Sequence, residues 1–349
     1  MKSKTLGLAG GALRLSLAIS GCLVVGQPWV FGEELFSEDE IFDITIQTPL
    51  KKLMRQSKDA PDVVGSIELE DGRSIPMTCN KYGISRLREC ELASLAFYVE
   101  DDDVRGTTFE GQSILRMVTP CRLRGNYDTY TVLEYLVYRS YAVIADPAIR
   151  VRLVRAHFRD REKPTKKEIG FGFFIEDIGD AARRSGLTWL DIQSQRLSDL
   201  DPAQLTVMTL FQYMIGNTDW SAVVGRPDDR CCHNVAVFGT ENVSPHTVVP
   251  FDFDQTGMVN PPYAGLPDAS LGIRRVTDRK YRGLCVHNSE LPAAIAVFNE
   301  KRPELEALFK DDSLPYPKAR LGAIRYIEQF YDTINDPRKL DRNILGVCR

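Results

Sequence analysis

The sequence predicts an α+β protein in two lobes: a smaller β-rich N-terminal lobe with one long helix and a larger, mainly helical C-terminal lobe. Three observations carry this. The first half alternates short apolar runs with turn signals. One stretch within it, Thr129 to Ile144 (TYTVLEYLVYRSYAVI), carries apolar residues at helical spacing between two strands. From residue 177 onward helical patterns dominate. A chain of 349 residues can bury a substantial core in one large domain or two lobes. The expected organisation is an export segment at 1–32, an N-terminal extension at 33–62, an N-lobe at 63–176 and a C-lobe at 177–349.

Each element has a local reason. Ile44 to Met54 reads as a strand and a short helix. Val63 to Cys79 alternates around Asp71-Gly72, with Ile67 and Leu69 before the turn and Ile75 and Met77 after it, a hairpin signal. Leu92 to Val99 and Ile114 to Val118 read as strands, the second enclosing Arg116. The long helix stops at Asp146-Pro147. Ile149 to Phe158 and Gly170 to Ile175 are strands joined by a charged turn, RDREKPTKKE, and followed by Glu176-Asp177. Ile178 to Ser185 and Leu190 to Leu197 read as short polar helices. Asp201 can cap the next helix, with Pro202 in its first turn, Gln204 three residues on and Gly216 at its end. Asn234–Phe238 and Thr247–Phe251 are strand-like. Three helices close the chain: Glu290–Phe298, Pro303–Phe309 and Pro317–Ile334. The last should bury Leu321, Ile324, Ile327, Phe330 and Tyr331.

The formal net charge of −4 offers no basic footprint, so nucleic acid is not an expected partner. The N-terminus reads as a targeting segment. Lys2, Lys4 and Arg14 precede or enter an apolar run from Leu15 to Gly26, and no acid appears before Glu33. That run is too short to span a bilayer and suits a secretory signal, cut after Gly26 or Gly32. Ile19-Ser20-Gly21-Cys22 also reads as a lipobox, which would leave a lipid anchor on Cys22; the apolar residues after Cys22 favour plain cleavage. Either route leaves no transmembrane helix in the mature chain and an exported protein, periplasmic, envelope-bound or extracellular. In such a compartment disulfides are the default for the seven cysteines beyond Cys22, and an odd number leaves one over. No CxxC pair appears and the histidines are scattered, which argues against a zinc site.

The chemistry concentrates between Phe211 and Gly257, which gathers Asn217, Asp219, Asn234, Asp252 and Asp254. Asn and Asp serve turns and caps, but as an ordered set beside two strands they suit a hard, oxygen-loving cation such as Mg²⁺. Phosphoryl transfer asks for a metal held by an Asp and an Asn or second acid, a carboxylate that orients the acceptor hydroxyl, and a cation for the donor phosphates. Asp219, Asn234 and Asp252 follow in the order base, metal Asn, metal Asp.

Nine segments in order then resemble the CotH-type branch of the protein-kinase-like families, especially exported bacterial members. They are SRLREC at 85–90, LRMVTPCR at 115–122, LEYLVYR at 133–139, RVRLVRAHF at 150–158, FFIEDIGDAARR at 173–184, MIGNTD at 214–219, CCHN at 231–234, PFDFDQTGMVNPPYA at 250–264 and KYRGLC at 280–285. The resemblance covers roughly Val63 to Cys285. It implies a bilobal protein-kinase-like fold and the transfer of the γ-phosphoryl of ATP, with Mg²⁺ or Mn²⁺, to a hydroxyl on a protein substrate. It would make Asp219 the catalytic base and Asn234 and Asp252 metal ligands. Asp254 is either a further ligand or a carboxylate that orients the loop. Glu134 would pair with the strand cation, Arg116, and Glu176-Asp177 would meet the adenine ring through backbone groups.

Three departures from the kinase pattern stand out. Arg116 occupies a position where a lysine is expected, and the two are not interchangeable at a phosphate site. No GxGxxG loop is present. Asp219 and Asn234 are fifteen residues apart instead of five, so GRPDDRCC must loop out. Beside the resemblance stand two expected disulfides, Cys232–Cys285 and Cys90–Cys121. Arg86, Arg88 and Arg122 are alternative phosphate contacts; His157, Tyr213 and Trp220 read as structural, and His233 could orient the loop beside Asn234. Two other functions stay open: an inactive pseudokinase acting as an envelope binding or structural protein, and a metal-dependent glycosyltransferase using Asp252-Phe253-Asp254 as a DxD motif.

Overall fold

The computed structural model describes residues 34–57, 60–226 and 230–349, with only the backbone of residues 163–168. The export segment and Cys22 lie outside the described residues. Seven strands close into a barrel: β1 (Phe42–Thr48), β2 (Val63–Leu69), β3 (Ser74–Tyr82), β4 (Ser94–Tyr98), β5 (Ile114–Val118), β6 (Val151–Asp160) and β7 (Lys163–Ile175). Their order round the wall is β1-β2-β3-β4-β5-β7-β6. Neighbours are antiparallel except at the seam, where β1 runs parallel to β6 with Phe42 opposite Val154 and Thr48 opposite Asp160. A second sheet has the order β10-β9-β8, from β8 (Thr188–Trp189), β9 (Val235–Thr240) and β10 (Val243–Pro250). The helices are α1 (Glu34–Ser37), α2 (Leu50–Arg55), α3 (Ser85–Glu89), α4 (Asp101–Val104), α5 (Asp128–Ile144), α6 (Ile178–Arg184), α7 (Pro202–Ile215), α8 (Leu291–Lys310), α9 (Pro317–Ile334) and α10 (Pro337–Asn343).

This architecture corrects the expected bilobal protein-kinase-like fold. The first-half sheet is a closed mixed barrel, and the stretch before Val63 supplies the strand that closes it. The long helix α5 does not belong to a separate small lobe. Its Val132, Leu136, Val137 and Tyr141 share one apolar cluster with Met208 and Phe211 of α7, Phe298 of α8 and Ile327 of α9. The two-residue period of strands explains how the barrel wall serves two cores. Val151, Leu153 and Phe173 face the helical cluster, whereas Val154, Ala156, Phe158 and Phe174 fill the barrel interior with Phe97, Met117 and Ile46.

Local rules are visible where they act alone. The hairpin turns at Asp71-Gly72, pairing Ile67 with Ile75. Helix α7 begins at Asp201, whose side chain accepts the Gln204 N–H at 2.9 Å, and ends at Gly216 in the left-handed region at φ 68°. A side chain at Gly216 would also collide with the Tyr326 hydroxyl.

Elsewhere packing overrides the pattern. Strand β7 begins at Lys163, inside the expected charged turn. Residues 190–197 form no α-helix. The expected helices 290–298 and 303–309 are one helix that runs through Pro303. In α9 Leu321 is half-exposed and Arg320 is buried instead. The reason is polar satisfaction, since the Arg320 guanidinium donates to the carbonyls of Phe309, Leu314 and Pro315.

Among the described residues the disulfides are Cys90–Cys121, Cys231–Cys232 and Cys285–Cys348, and Cys79 is a buried free thiol. The first matches expectation. The expected Cys232–Cys285 bridge does not form, because Cys285 is taken by the C-terminal tail, where its N–H also donates to the Arg349 carbonyl at 2.9 Å. Among the described residues no helix is long and apolar enough to cross a membrane.

Candidate active site

A cleft of about 510 Å³ is lined by all eight residues singled out from the sequence: Arg116, Glu134, Glu176, Asp177, Asp219, Asn234, Asp252 and Asp254. They arrive from separate elements. Arg116 is on β5, Glu134 on α5, Glu176 and Asp177 at the β7–α6 junction, Asp219 in the loop after α7, Asn234 just before β9, and Asp252 and Asp254 just after β10. A larger cavity of about 910 Å³ lies elsewhere on the barrel wall. Its acids already have structural partners: Asp160 accepts from the Lys51 and Glu162 N–H groups and Glu91 pairs with Arg122. The convergent unsatisfied groups are in the smaller cleft.

The expected Arg116–Glu134 pair does not form. Arg116 pairs with Asp177, which also caps α6 by accepting the Gly179 N–H at 2.8 Å. Glu134 pairs instead with Arg86 of α3, at 3.3 Å, with both side chains buried. Arg86 also donates to the Thr119 carbonyl and stands 4.0 Å from Asp254. The change follows from the layout: Glu134 faces the end of α3, and Arg116, at the barrel rim, faces the start of α6. Glu176 is held by Arg184 and by the Arg150 N–H, while its own N–H donates to the Arg150 carbonyl.

One cation thus faces two buried carboxylates, Glu134 and Asp254, and the solvent-reached carboxylate of Asp252 at the cleft. Burial pushes the Asp252 carboxyl up to about 7, and the neighbouring Asp254 charge adds to this. Burial also raises Asp254 and Glu134, against the opposing pull of Arg86. Tyr138 braces the group by accepting the Asp252 N–H at 2.8 Å.

Asp219 is different. Burial works to raise its carboxyl, but the hydrogen bond and charge of His233 and the charge of Arg226 outweigh it, and the net shift is downward. His233 Nε2 lies 2.8 Å from one Asp219 oxygen and Arg226 Nη2 donates to the other at 2.9 Å. The Asn234 side-chain amide donates to the Asp219 carbonyl at 2.8 Å, which leaves its Oδ1 as the remaining acceptor. Asn234 and Asp252 both sit at positive φ, 53° and 60°. Asn and Asp tolerate that region better than other side chains. The Phe251 N–H donates to the Asn234 carbonyl at 3.0 Å and ties the two turns together.

Among the described residues no three His, Cys, Asp or Glu side chains form an all-protein metal cage. The donor set nevertheless fits Mg²⁺ or Mn²⁺ delivered with a substrate, since such ions take one or two carboxylates and complete their shell with water and phosphate oxygens. Asp254 Oδ2, buried and without a hydrogen-bond partner, is the observation that meets this test.

The sequence places Asn217 in the cation-suited set of five without a role of its own, offers Arg86 only as a phosphate contact, and gives His233 only a loop-orienting role. Asn217 could have been found from its place two residues before Asp219, the spacing of an Asx turn. Nothing in the sequence points to the Arg86–Glu134 pairing, which spans 48 positions. No model of a known protein family matches the chain, and no curated protein is similar enough to count as a relative.

Proposed function

We propose that this cleft transfers the γ-phosphoryl group of ATP to a hydroxyl on a protein acceptor. The single observation that carries the reading is the pair Asp252 and Asp254, the first reached from the cleft and the second buried with one oxygen that makes no hydrogen bond, opposite an ionised Asp219 in the same cleft. Asp252, Asp254 and the Asn234 Oδ1 would hold a divalent cation, which when bound neutralises donor phosphate charge. Asp219, ionised and oriented by His233 and Arg226, accepts the hydrogen bond of the acceptor hydroxyl and takes its proton. Arg86 holds Glu134 and limits the repulsion among the acids. Val118, Ile149, Ile175 and Trp189 give the cleft an apolar side suited to a nucleobase. Three disulfides support an exported protein, because such bonds persist in oxidising compartments.

One observation favours a second reading, a nucleotide-binding pseudokinase. Arg116 is engaged by Asp177 and does not support Glu134. Incubation of the mature protein with γ-labelled ATP, Mn²⁺ and a panel of acceptor proteins separates the two. Transfer by wild type and its loss in Asp219→Ala supports phosphoryl transfer. Tight ATP binding without transfer, in wild type and variant alike, supports the second.

A further inference from the structure

The geometry assigns Asn217 to phosphate: we propose that its side-chain amide donates a hydrogen bond to a non-bridging oxygen of a polyphosphate that carries its divalent counterion, with Asp254 Oδ2 facing the cation. The proposal rests on the phosphoryl-transfer reading and names a subsite within it. Asn217 is 4% exposed and follows the glycine that ends α7. Its main-chain N–H donates to the Gln212 carbonyl at 2.8 Å, so its backbone is anchored to the last turn. Its Oδ1 accepts the Asp219 N–H at 2.9 Å. An amide has one oxygen and one NH₂, so this bond decides which way the donor end points. The Nδ2 is buried with no hydrogen-bond partner, and the residue lines the cleft.

A buried donor left without an acceptor is costly. Asp254 Oδ2 is its counterpart, a buried acceptor on the same cleft that makes no hydrogen bond, the Arg86 guanidinium standing off at 4.0 Å. A ligand that satisfies both must present an acceptor to Asn217 and a donor or positive centre to Asp254. A bare anion would face the carboxylates of Asp252, Asp254 and Asp219. A bare cation would leave the Asn217 amide hydrogens unpaired. A phosphate with its divalent ion meets both demands. Water, which donates and accepts, is the competing occupant.

Tripolyphosphate and Mn²⁺ are the probes, used with the full mature chain. Calorimetry or Mn²⁺ spin resonance gives the affinity for Mn²⁺ alone and for Mn²⁺–tripolyphosphate. Asn217→Asp keeps an oxygen for the Asp219 N–H and replaces the donor with a second acceptor. It should weaken Mn²⁺–tripolyphosphate by about tenfold or more, the loss of one charge-assisted hydrogen bond, while Mn²⁺ alone binds as well as or better than in wild type. Asn217→Ala should weaken the complex similarly. In wild type, the Asn217 side-chain amide resonance should shift on adding Mg²⁺–tripolyphosphate and not on adding Mg²⁺ alone, a readout that does not depend on a variant folding. Wild-type binding that Asn217→Asp leaves unchanged, or an amide resonance that stays still, overturns the assignment to phosphate and leaves water as the occupant, with the phosphoryl-transfer reading intact. Failure of wild type to bind Mn²⁺–tripolyphosphate overturns both.

Discussion

Arg86 and Glu134 form a buried ion pair at 3.3 Å, and this pair connects the barrel rim to the helical core. Arg86 stands at the end of β3 on a one-turn helix, whereas Glu134 is in the middle of α5. Removing the cation leaves Glu134, Asp252 and Asp254 without their shared counter-charge. Arg86→Ala should therefore destabilise the fold by about 3–5 kcal/mol, the cost of an uncompensated buried charge. Arg116→Ala, which breaks a half-exposed pair with Asp177, should cost less than about 1 kcal/mol. Chemical denaturation of the two variants checks the contrast, and equal losses would contradict the assignment of Arg86 as the structural partner.

Asp219 should be separable from stability. Its side chain is 56% exposed, and its partners are side chains at the cleft mouth. Asp219→Asn should keep the melting temperature within a few degrees and lower phosphoryl transfer by about 10²–10⁴-fold, the usual contribution of a general base. A parallel loss of melting temperature would show that the residue acts through the fold.

The barrel seam predicts an acid response. Asp43 on β1 lies opposite Arg155 on β6, and its oxygens accept from the Arg155 Nε at 2.6 Å and lie 2.7 Å from His157 Nε2. The Arg155 hydrogen bond, aided by His157 and opposed by burial, holds the Asp43 carboxyl at about 2, below the ordinary 3.8. A depressed carboxyl contributes stability that is complete above the unfolded value and lost as pH falls through the folded one. Wild type should accordingly lose about 1–2 kcal/mol between roughly pH 4 and pH 2 at this seam. Asp43→Asn should be less stable at pH 6 and show a shallower slope in that window. Urea denaturation at stepped pH checks this.

The C-terminal tail should be a strap. Cys348 is bonded to Cys285, and the Arg349 N–H donates to the Gly283 carbonyl at 2.9 Å. Cys348→Ser should cost about 2–4 kcal/mol. Peptide mapping without reduction should recover Cys90–Cys121 and Cys285–Cys348 as linked peptides. Cys79, with its thiol pushed up to about 11 by burial, should resist alkylation until the chain unfolds.

Gly216 tests the helix end beneath the site. Its φ of 68° and the nearby Tyr326 hydroxyl both exclude a side chain. Gly216→Ala should destabilise by about 1–2 kcal/mol from the backbone alone. It should also weaken cation binding, since Gly216 accepts the Gly257 N–H and precedes Asn217. A variant with normal stability and cation affinity would contradict this.

What the sequence by itself determined follows short-range rules. Asp201, Pro202 and Gly216 mark both ends of α7 because capping and left-handed backbone depend on a few neighbouring residues. Asp71-Gly72 sets the β2–β3 hairpin for the same reason. The candidate site residues were legible as residue types, since Asp and Asn gathered beside strands suit a hard cation whatever their tertiary setting. Tertiary structure alone decided the rest. The β1–β6 seam joins residues more than a hundred positions apart, and no local pattern specifies a parallel partner. Arg320 displaces Leu321 from the core because the chain between α8 and α9 folds back to bring the carbonyls of Phe309, Leu314 and Pro315 onto its guanidinium. The choice of Arg86 over Arg116 for Glu134 is of this kind: both are arginines in the first half of the chain, and only the placement of α3 against α5 selects between them.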